Sequence, residues 1–288
     1  MKEIFYLNGK LVTREEAKIS LLDYGFLFGF GLYETIRAYD GKPFRLENHL
    51  ARLRYSGDRL GIKIYPALIR EAVYEVIKAN GFGQTRLRIC VSIGEGEISP
   101  DLDSCKTPTI AVIASEYKPP TGKKYQSGYK AVLSSIRRNS LSPVTSLKSA
   151  NTIESMLARR DARDVGADEA LFLNEKGYLT EAAGSNVFIV KEGVLKTPPY
   201  ESGILPGVTR VIVFESAAQL GIKVREVNCR LADLTQADEV FVTNSLIEIM
   251  PVTSFAGQPV GNGKAGTLTR NLMKAYRELV RNETSEIK

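Results

Sequence analysis

Residues 30–53 read FGLYETIRAYDGKPFRLENHLARL, and in this stretch strand signals pass directly into helix signals. The first part predicts two strands joined at Asp40–Gly41, a favoured two-residue turn. From Leu46 the leucines recur at helical spacing as far as Leu60, and Gly61 predicts the end of the helix. Paired strands followed by an amphipathic helix indicate a mixed α/β fold.

The segments on both sides of this stretch carry the same two signals. Upstream, IFYLNGKLV predicts a hairpin that turns at Asn8–Gly9. Downstream, residues 65–81 predict a second helix that ends at Asn80–Gly81, and residues 85–94 and 107–117 predict strands. The first part of the chain is therefore expected to form one α/β domain.

A stretch rich in proline, glycine and lysine, KPPTGKKYQSG at residues 118–128, is the best linker candidate. We expect a smaller N-terminal α/β domain at residues 1–118, a linker at 119–128 and a larger mixed α/β domain at 129–288. For the second domain the pattern predicts strands at 129–136, 169–174, 178–182 and 185–191, a helix at 152–166, a turn into a helix over 203–222, a buried strand followed by a loop over 238–252, and an amphipathic helix at 267–280.

The bulk composition limits the classes of protein to which the chain can belong. Its 288 residues, 43% of them hydrophobic, suffice for one large or two medium domains with real cores. No segment approaches the roughly 20 apolar residues that span a bilayer, and the start MKEIFYLNGKLV does not have the form of a secretory signal. The net charge of +6 comes without basic blocks interleaved with aromatic residues. We therefore expect a cytoplasmic protein that binds neither membrane nor nucleic acid.

The cysteines and the single histidine exclude several kinds of site. Cys90, Cys105 and Cys229 are odd in number and far apart, which indicates reduced thiols rather than disulfides or a zinc site. His49 is the only histidine, which excludes a multi-histidine metal site, and no metal site is expected. Acid–base chemistry would then use lysine, carboxylate or tyrosine.

Lys148 stands in an unusual setting, in the segment PVTSLKSANTIES at residues 143–155. Small polar side chains surround it, and a predicted helix follows. The first turn of a helix carries partial positive charge, which favours acidic rather than basic side chains. An ordinary surface lysine is the simpler interpretation. The same setting would, however, help a lysine to lose its proton and act as a nucleophile.

Several glycine-rich segments are candidate phosphate sites, and most of them fail. GFLFGFG and GEGEIS lack the spacing of a dinucleotide-binding loop. GQPVGNGKAGT fails as a triphosphate loop because Gln258 and Ala265 replace a required glycine and a required serine or threonine. In LPGVTR, a turn at Pro206–Gly207 opens a helix whose first amides, from Val208 and Thr209, can hold a phosphate. Taken alone, this segment is better explained as an ordinary helix start.

Glu181 and Arg52 are weak signals by themselves, since each could be an ordinary solvated side chain. With Lys148 and the helix start at LPGVTR they form a set that suits pyridoxal 5′-phosphate (PLP). The PLP aldehyde needs an amine, its phosphate needs donors, and its ring nitrogen needs an acid partner. A carboxylate beside that nitrogen favours the protonated ring, which draws electrons from the Cα of the substrate.

These segments, in this order, resemble the fold-type IV PLP-dependent enzymes, which include the branched-chain and D-amino acid aminotransferases and aminodeoxychorismate lyase. The resemblance covers nearly the whole chain and includes residues 25–53, SLKSAN, ADEALFLNEKGYLTEAAGSNVFIV, GILPGVTR, ADEVFVTNSLIEIMPV and GNGKAGTLTRNL. It implies the two-domain fold of the D-amino acid aminotransferase type, PLP as cofactor, and a homodimer with active sites near the subunit interface.

The resemblance also implies roles for individual residues. Lys148 would form the internal aldimine and then move a proton between the substrate Cα and the cofactor C4′. Glu181 would bind the pyridine nitrogen, and Tyr33 would face the substrate. The phosphate ligands would be Arg52, Val208, Thr209 and Ser245.

Two departures bear on which member of the family the chain resembles most. Thr35 in YETIR and Asn244 in VTNS resemble the lyase, and both are taken as substrate residues. Ile93, however, replaces an arginine that many lyases and D-amino acid aminotransferases carry, and Phe30 replaces the usual aspartate. A buried substrate carboxylate needs a cation or an N–H donor, so its partner must lie elsewhere in this chain. The leading prediction is amino transfer between an amino acid, of branched-chain or D-amino acid type, and a 2-oxo acid; the alternative is aminodeoxychorismate lyase, which releases pyruvate and 4-aminobenzoate.

Overall fold

The structure is a computed structural model that describes residues 3–285. Its contacts divide the chain into two units. One comprises Met1–Lys118, Leu147–Asn151 and Glu283–Lys288, and the other comprises Pro119–Ser146 and Thr152–Asn282. Within residues 3–285, no helix combines the length and the apolar character that crossing a membrane requires.

The first unit is built on a six-stranded antiparallel sheet with the strand order β2-β1-β6-β5-β3-β4. Its strands are β1 (Ile4–Leu7), β2 (Lys10–Thr13), β3 (Gly31–Tyr39), β4 (Lys42–Pro43), β5 (Gln84–Ser92) and β6 (Thr109–Glu116). Both predicted tight turns are confirmed, with φ of 46° and 93° at Asn8 and Gly9 and of 47° and 80° at Asp40 and Gly41. Left-handed values at both central positions match the twist of the flanking strands.

The helices of the first unit are α1 (Tyr24–Leu27), α2 (Leu46–Leu60) and α3 (Pro66–Asn80). As predicted, α2 and α3 end at glycines, Gly61 and Gly81, which take left-handed φ values of 70° and 65°. One face of the sheet shares a core with α2 and α3 through the side chains of Ile36, Leu50, Leu53, Val73, Leu87, Ile89 and Val112. Because successive strand residues point to opposite faces, Tyr33, Thr35 and Arg88 lie on the other face.

Residues 147–151 lie beside β3 in the first unit, although the sequence assigned them to the domain at 129–288. The amide of Tyr33 donates to the carbonyl of Lys148 at 2.9 Å, and the amide of Ala150 donates to the carbonyl of Gly31 at 2.8 Å. The reason is that β4 pairs only with the far end of β3, at Ala38 and Tyr39. The backbone groups at the start of β3 therefore need another partner.

The second unit contains a nine-stranded mixed sheet with the order β12-β11-β10-β13-β14-β7-β8-β9, and β15 pairs with β14. Its strands are β7 (Tyr129–Arg138), β8 (Glu169–Asn174), β9 (Leu179–Ala182), β10 (Asn186–Lys191), β11 (Val194–Thr197), β12 (Val224–Glu226), β13 (Glu239–Asn244), β14 (Glu248–Phe255) and β15 (Gln258–Pro259). Glu181 of β9 also pairs with Asn186 of β10, which closes a ring of paired strands. This closure brings the end of β9 beside the start of β10.

The helices of the second unit are α4 (Gly122–Ser127), α5 (Ile153–Asp164), α6 (Val208–Gln219) and α7 (Leu231–Thr235), and the last helix of the chain is α8 (Thr267–Thr284). The predicted amphipathic character of α8 is confirmed, since Leu272, Tyr276 and Val280 are buried on one side. Helix α5 matches the helix predicted at 152–166.

Two predictions for the second unit differ from the structure. Residues 238–252 form the hairpin of β13 and β14 rather than a strand and a loop, because Asn244 pairs with Glu248, which has a left-handed φ of 58°. The segment predicted as a linker at 119–128 contains α4, whose first turn is capped by the side chain of Thr121. Tyr125 of α4 is buried in the core of the unit, which explains why this segment is ordered.

Candidate active site

Lys148 lies over the aromatic ring of Tyr33 in the first unit. Its Nζ is 4.7 Å from the ring centroid, and the two residues are also joined through the backbone hydrogen bond between β3 and residues 147–151. The Lys148 side chain is half-buried. Pairing with β3 therefore gives the amine a fixed place on the face of the sheet that α2 and α3 leave open.

Arg88 of β5 shares this face and was missed by the sequence analysis. Its Cζ lies 4.0 Å from the centroid of the Tyr33 ring, and it stands opposite Thr35 in the strand register. Among residues 3–285, the Arg88 guanidinium has no hydrogen bond or ion pair. The sequence TRLRIC held a signal, because its two arginines alternate with the apolar Leu87 and must therefore point away from the core.

Arg52 lies in a buried cluster with Glu34 and His49, on the helix-covered side of β3. Arg52 Nε donates to Glu34 Oε1 at 2.8 Å and Arg52 Nη2 donates to Glu34 Oε2 at 2.6 Å. The same Oε2 lies 2.7 Å from His49 Nδ1. The sequence analysis named Arg52 but gave no role to the other two residues, since only tertiary packing brings β3 and α2 together.

The charges of this cluster follow from its burial and its partners. Burial acts to raise the pKa of Glu34, but Arg52 and His49 outweigh it and lower that pKa to about 2. Burial also lowers the pKa of His49 against the opposing effect of Glu34, and Arg52 and Lys148 lower it further. Glu34 is therefore ionised and His49 neutral, so that Nδ1–H of His49 donates to the carboxylate.

Glu181 lies in the second unit, at the end of β9. Its Oε2 accepts a hydrogen bond from the amide of Leu205 at 3.0 Å, and Arg138 Nη2 is 4.0 Å from its Oε1. Arg138 is itself fixed by Glu154 and Ser155, each at 2.7 Å. The carboxylate of Glu181 is thus held in place from two sides.

The start of α6 in LPGVTR presents backbone N–H groups without side-chain capping. Among residues 3–285, the amides of Val208 and Thr209 have no hydrogen-bond acceptor. Gly207 is required at the N-cap because a Cβ there would fall on Oδ1 of Asn186, whose Nδ2 bonds the carbonyl of Leu205 at 2.9 Å. Unsatisfied amides at the positive end of a helix are suited to bind an anion.

Asn244 and Ser245 lie in the loop between β13 and β14. The Nδ2 of Asn244 donates to the carbonyl of Gly184 and to Ser185 Oγ, both at 2.9 Å. Its Oδ1 accepts from the amides of Leu246 and Ile247 at 2.9 and 3.0 Å. The Asn244 side chain therefore shapes the loop that carries Ser245, whereas its assignment to the substrate stays a prediction.

The predicted site residues divide between the units. Lys148, Tyr33, Thr35 and Arg52 belong to the first, where Lys148 and Tyr33 are in contact and Arg52 lies in the cluster with Glu34. Glu181, Val208, Thr209, Asn244 and Ser245 belong to the second.

The sequence matches the family model for amino-transferase class IV over residues 31–255. The chain belongs to the class IV aminotransferases. It is 40% identical over 280 residues to a putative branched-chain-amino-acid aminotransferase of Methanocaldococcus jannaschii, with 95% of each chain covered. It is 32% identical to an aminodeoxychorismate lyase of Bacillus subtilis, covering 98% of this chain and 97% of the other.

A solved structure of a class IV aminotransferase has the same fold. A branched-chain amino acid aminotransferase of T.th. with pyridoxamine 5′-phosphate superposes with a TM-score of 0.92 at 32% identity, covering 98% of this chain and 95% of that one. The predicted fold class, fold-type IV, is therefore confirmed. The protein is an enzyme and uses PLP as cofactor, as predicted.

The donor set of this chain fits PLP. Lys148 supplies an amine, Glu181 a carboxylate whose position is fixed, and the start of α6 two amides that have no acceptor in the described part of the chain. Gly207 keeps the first turn of α6 free of a Cβ. Each functional group of the cofactor therefore has a residue of matching chemistry.

Proposed function

We propose that this enzyme transfers an amino group between an amino acid and a 2-oxo acid, with branched-chain amino acids as its first donors and D-amino acids as the second class to test. The unpaired cation of Arg88 carries this proposal, because it lies beside the ring of Tyr33 that Lys148 also contacts. A substrate with an amine and a carboxylate needs a nearby amine and a nearby cation. The 40% identity to a putative branched-chain-amino-acid aminotransferase supports the choice of donor.

In the first unit, Lys148 is the proposed covalent anchor of the cofactor and the base that moves the substrate proton. Bound PLP supplies the aldehyde and an electron-withdrawing ring that makes the Cα–H bond of the substrate acidic. Tyr33 positions the Lys148 amine through its ring and its backbone amide. Arg88 would bind the substrate carboxylate and replace the arginine that Ile93 displaces.

The other proposed ligands act by charge and hydrogen bonding. Glu181, held by the Leu205 amide, would keep a proton on the pyridine nitrogen. Val208 and Thr209 would donate their amides to the phosphate, assisted by Ser245 and by the cation of Arg52. Thr35 and Asn244 remain predicted substrate residues.

The half-reaction tests the proposal directly. Holoenzyme is mixed with single L- or D-amino acids in the absence of any 2-oxo acid, and formation of pyridoxamine 5′-phosphate is measured. We expect the branched-chain donors to react fastest, and Lys148→Ala to slow the reaction about 10³-fold because the proton-moving amine is lost.

Arg88→Ala provides a test of carboxylate binding in the same assay. It should raise the donor concentration needed for half-maximal rate about tenfold or more, since a charge-assisted contact is lost. Arg86→Ala, which removes the same charge from the same strand, is the matched control. An unchanged donor requirement in Arg88→Ala would overturn the role of Arg88.

Aminodeoxychorismate lyase activity is the second candidate. Thr35 and Asn244 favour it, and the Bacillus subtilis lyase is 32% identical to this chain. Aminodeoxychorismate is therefore supplied without a 2-oxo acid, and release of 4-aminobenzoate is measured. Rapid release, with no pyridoxamine 5′-phosphate formed from any amino acid, would reverse the ranking of the two functions.

Two further expectations belong to this proposal. We propose a homodimer, and an exposed apolar segment around α1 supports it because Leu21 and Phe26 are 74% and 63% exposed. We also propose a cytoplasmic location. Fractionation of cells that express the protein, followed by immunodetection, tests the location.

A further inference from the structure

The cluster of Glu34, His49 and Arg52 is more buried than a surface ion pair. Glu34 and His49 are 0% and 1% exposed, and the Arg52 side chain is 9% exposed. Glu34 comes from the centre of β3, while His49 and Arg52 are one turn apart on α2. Burying these charges is costly, so their hydrogen bonds must offset a large loss of hydration.

The geometry fixes the orientation of the arginine. Nε and Nη2 lie on one edge of the guanidinium, and both donate to the Glu34 carboxylate at 2.8 and 2.6 Å. A side-on pair of this kind holds the guanidinium plane, whereas a single bond would let it turn. His49 Nδ1, 2.7 Å from Glu34 Oε2, restrains the carboxylate in turn.

We propose that Glu34 and His49 are positioning residues that hold Arg52 in the plane required to bind the phosphate of the cofactor. This inference rests on the proposed role of Arg52 as a phosphate ligand. Glu34 neutralises part of the Arg52 charge, so by charge alone it would weaken binding of a phosphate. Its benefit to the site must come from orientation, and this separates the inference from a simple electrostatic role.

A purely structural role is the competing explanation, because the cluster also joins α2 to β3. The two roles differ in their dependence on the phosphate group. Orientation of Arg52 affects PLP but not pyridoxal, which has the same ring and aldehyde and lacks the phosphate. Loosening of α2 from the sheet would affect both ligands alike and would lower the melting temperature of the apoenzyme.

The test measures dissociation constants of PLP and pyridoxal for the full-length apoenzyme. Glu34→Asp keeps the negative charge and shortens the side chain, which breaks the side-on pair. We expect PLP to bind about tenfold more weakly and pyridoxal to bind as in the wild type. Glu34→Gln should also weaken PLP binding, whereas an electrostatic role would make it stronger.

His49 provides an independent arm in case the Glu34 variants do not fold. His49→Asn keeps an N–H donor at the position of Nδ1 and should retain PLP as the wild type does. His49→Leu removes the donor and should weaken PLP binding but not pyridoxal binding. Equal losses for both ligands, or no loss for PLP in any of these variants, would overturn the inference.

Two controls separate this inference from the proposed function. Glu47→Gln breaks a side-on pair with Arg70, with two bonds of 2.7 Å, on the exposed side of α2, and it should change neither dissociation constant. Arg52→Lys tests the phosphate role itself. If Arg52→Lys weakens PLP selectively and the Glu34 and His49 variants do not, positioning fails while the role of Arg52 stands. If Arg52→Lys has no effect on PLP, the role of Arg52 fails.

Discussion

At the scale of single residues, burial decides the charge of His49. Its pKa is lowered from the ordinary value of 6.5, first by burial, so the folded state binds a proton less readily than the unfolded chain. The free energy of unfolding should therefore fall as the pH drops below about 6.5. Glu34, with its pKa lowered to about 2, stays ionised through this range and adds no pH dependence there.

Denaturant unfolding of the apoenzyme at about pH 7.5 and about pH 5.5 checks this prediction, since the range brackets the ordinary histidine pKa. The loss of stability between the two should be larger in the wild type than in His49→Asn, by at most about 1.4 kcal/mol for each unit by which the pKa is lowered. Groups that titrate in both proteins cancel in this comparison. An identical loss would mean that His49 carries its charge in the folded state.

At the scale of elements, the start of α6 depends on a glycine. A Cβ at position 207 would fall on Oδ1 of Asn186, so Gly207→Ala must displace either that amide or the first turn of α6. We expect a loss of about 1–3 kcal/mol in the free energy of unfolding, as for overpacking in a core. PLP affinity should fall as well, because the Val208 and Thr209 amides would move.

Gly122→Ala in α4 is the matched control for Gly207→Ala. No atom lies within 4 Å of a Cβ at this position, so it should keep both stability and PLP affinity. Thermal melting and PLP titration measure the two quantities. Wild-type values for Gly207→Ala would show that the close approach at Asn186 is not needed.

At the scale of the whole molecule, the exposed apolar segment around α1 bears on the proposed homodimer. Phe26 is 63% exposed, and a charge in a dimer interface would cost the hydration of that charge. Phe26→Glu should therefore shift the mass measured by light scattering from two chains of 31.8 kDa towards one. Tyr74→Glu, on the half-exposed surface of α3, should leave the mass unchanged. A dimer in both variants would place the interface elsewhere.

Features that depend on neighbours along the chain were predictable from the sequence. The turns at Asn8–Gly9 and Asp40–Gly41 were found because short-range sterics allow left-handed φ there and disfavour it for most residues. The ends of α2 and α3 at Gly61 and Gly81 follow from the same constraint. The fold class came from such local signals together with the family resemblance.

The tertiary structure alone decided which distant residues meet. It set residues 147–151 beside β3 and so brought Lys148 to Tyr33, it placed Arg88 against the same ring, and it enclosed Glu34 with His49 and Arg52. These contacts follow from strand register and from packing of α2 on the sheet, which join positions far apart in the chain. Sequence patterning fixes the periodicity of each element and the face it buries, but it carries no information on which open edge or face a distant segment will cover.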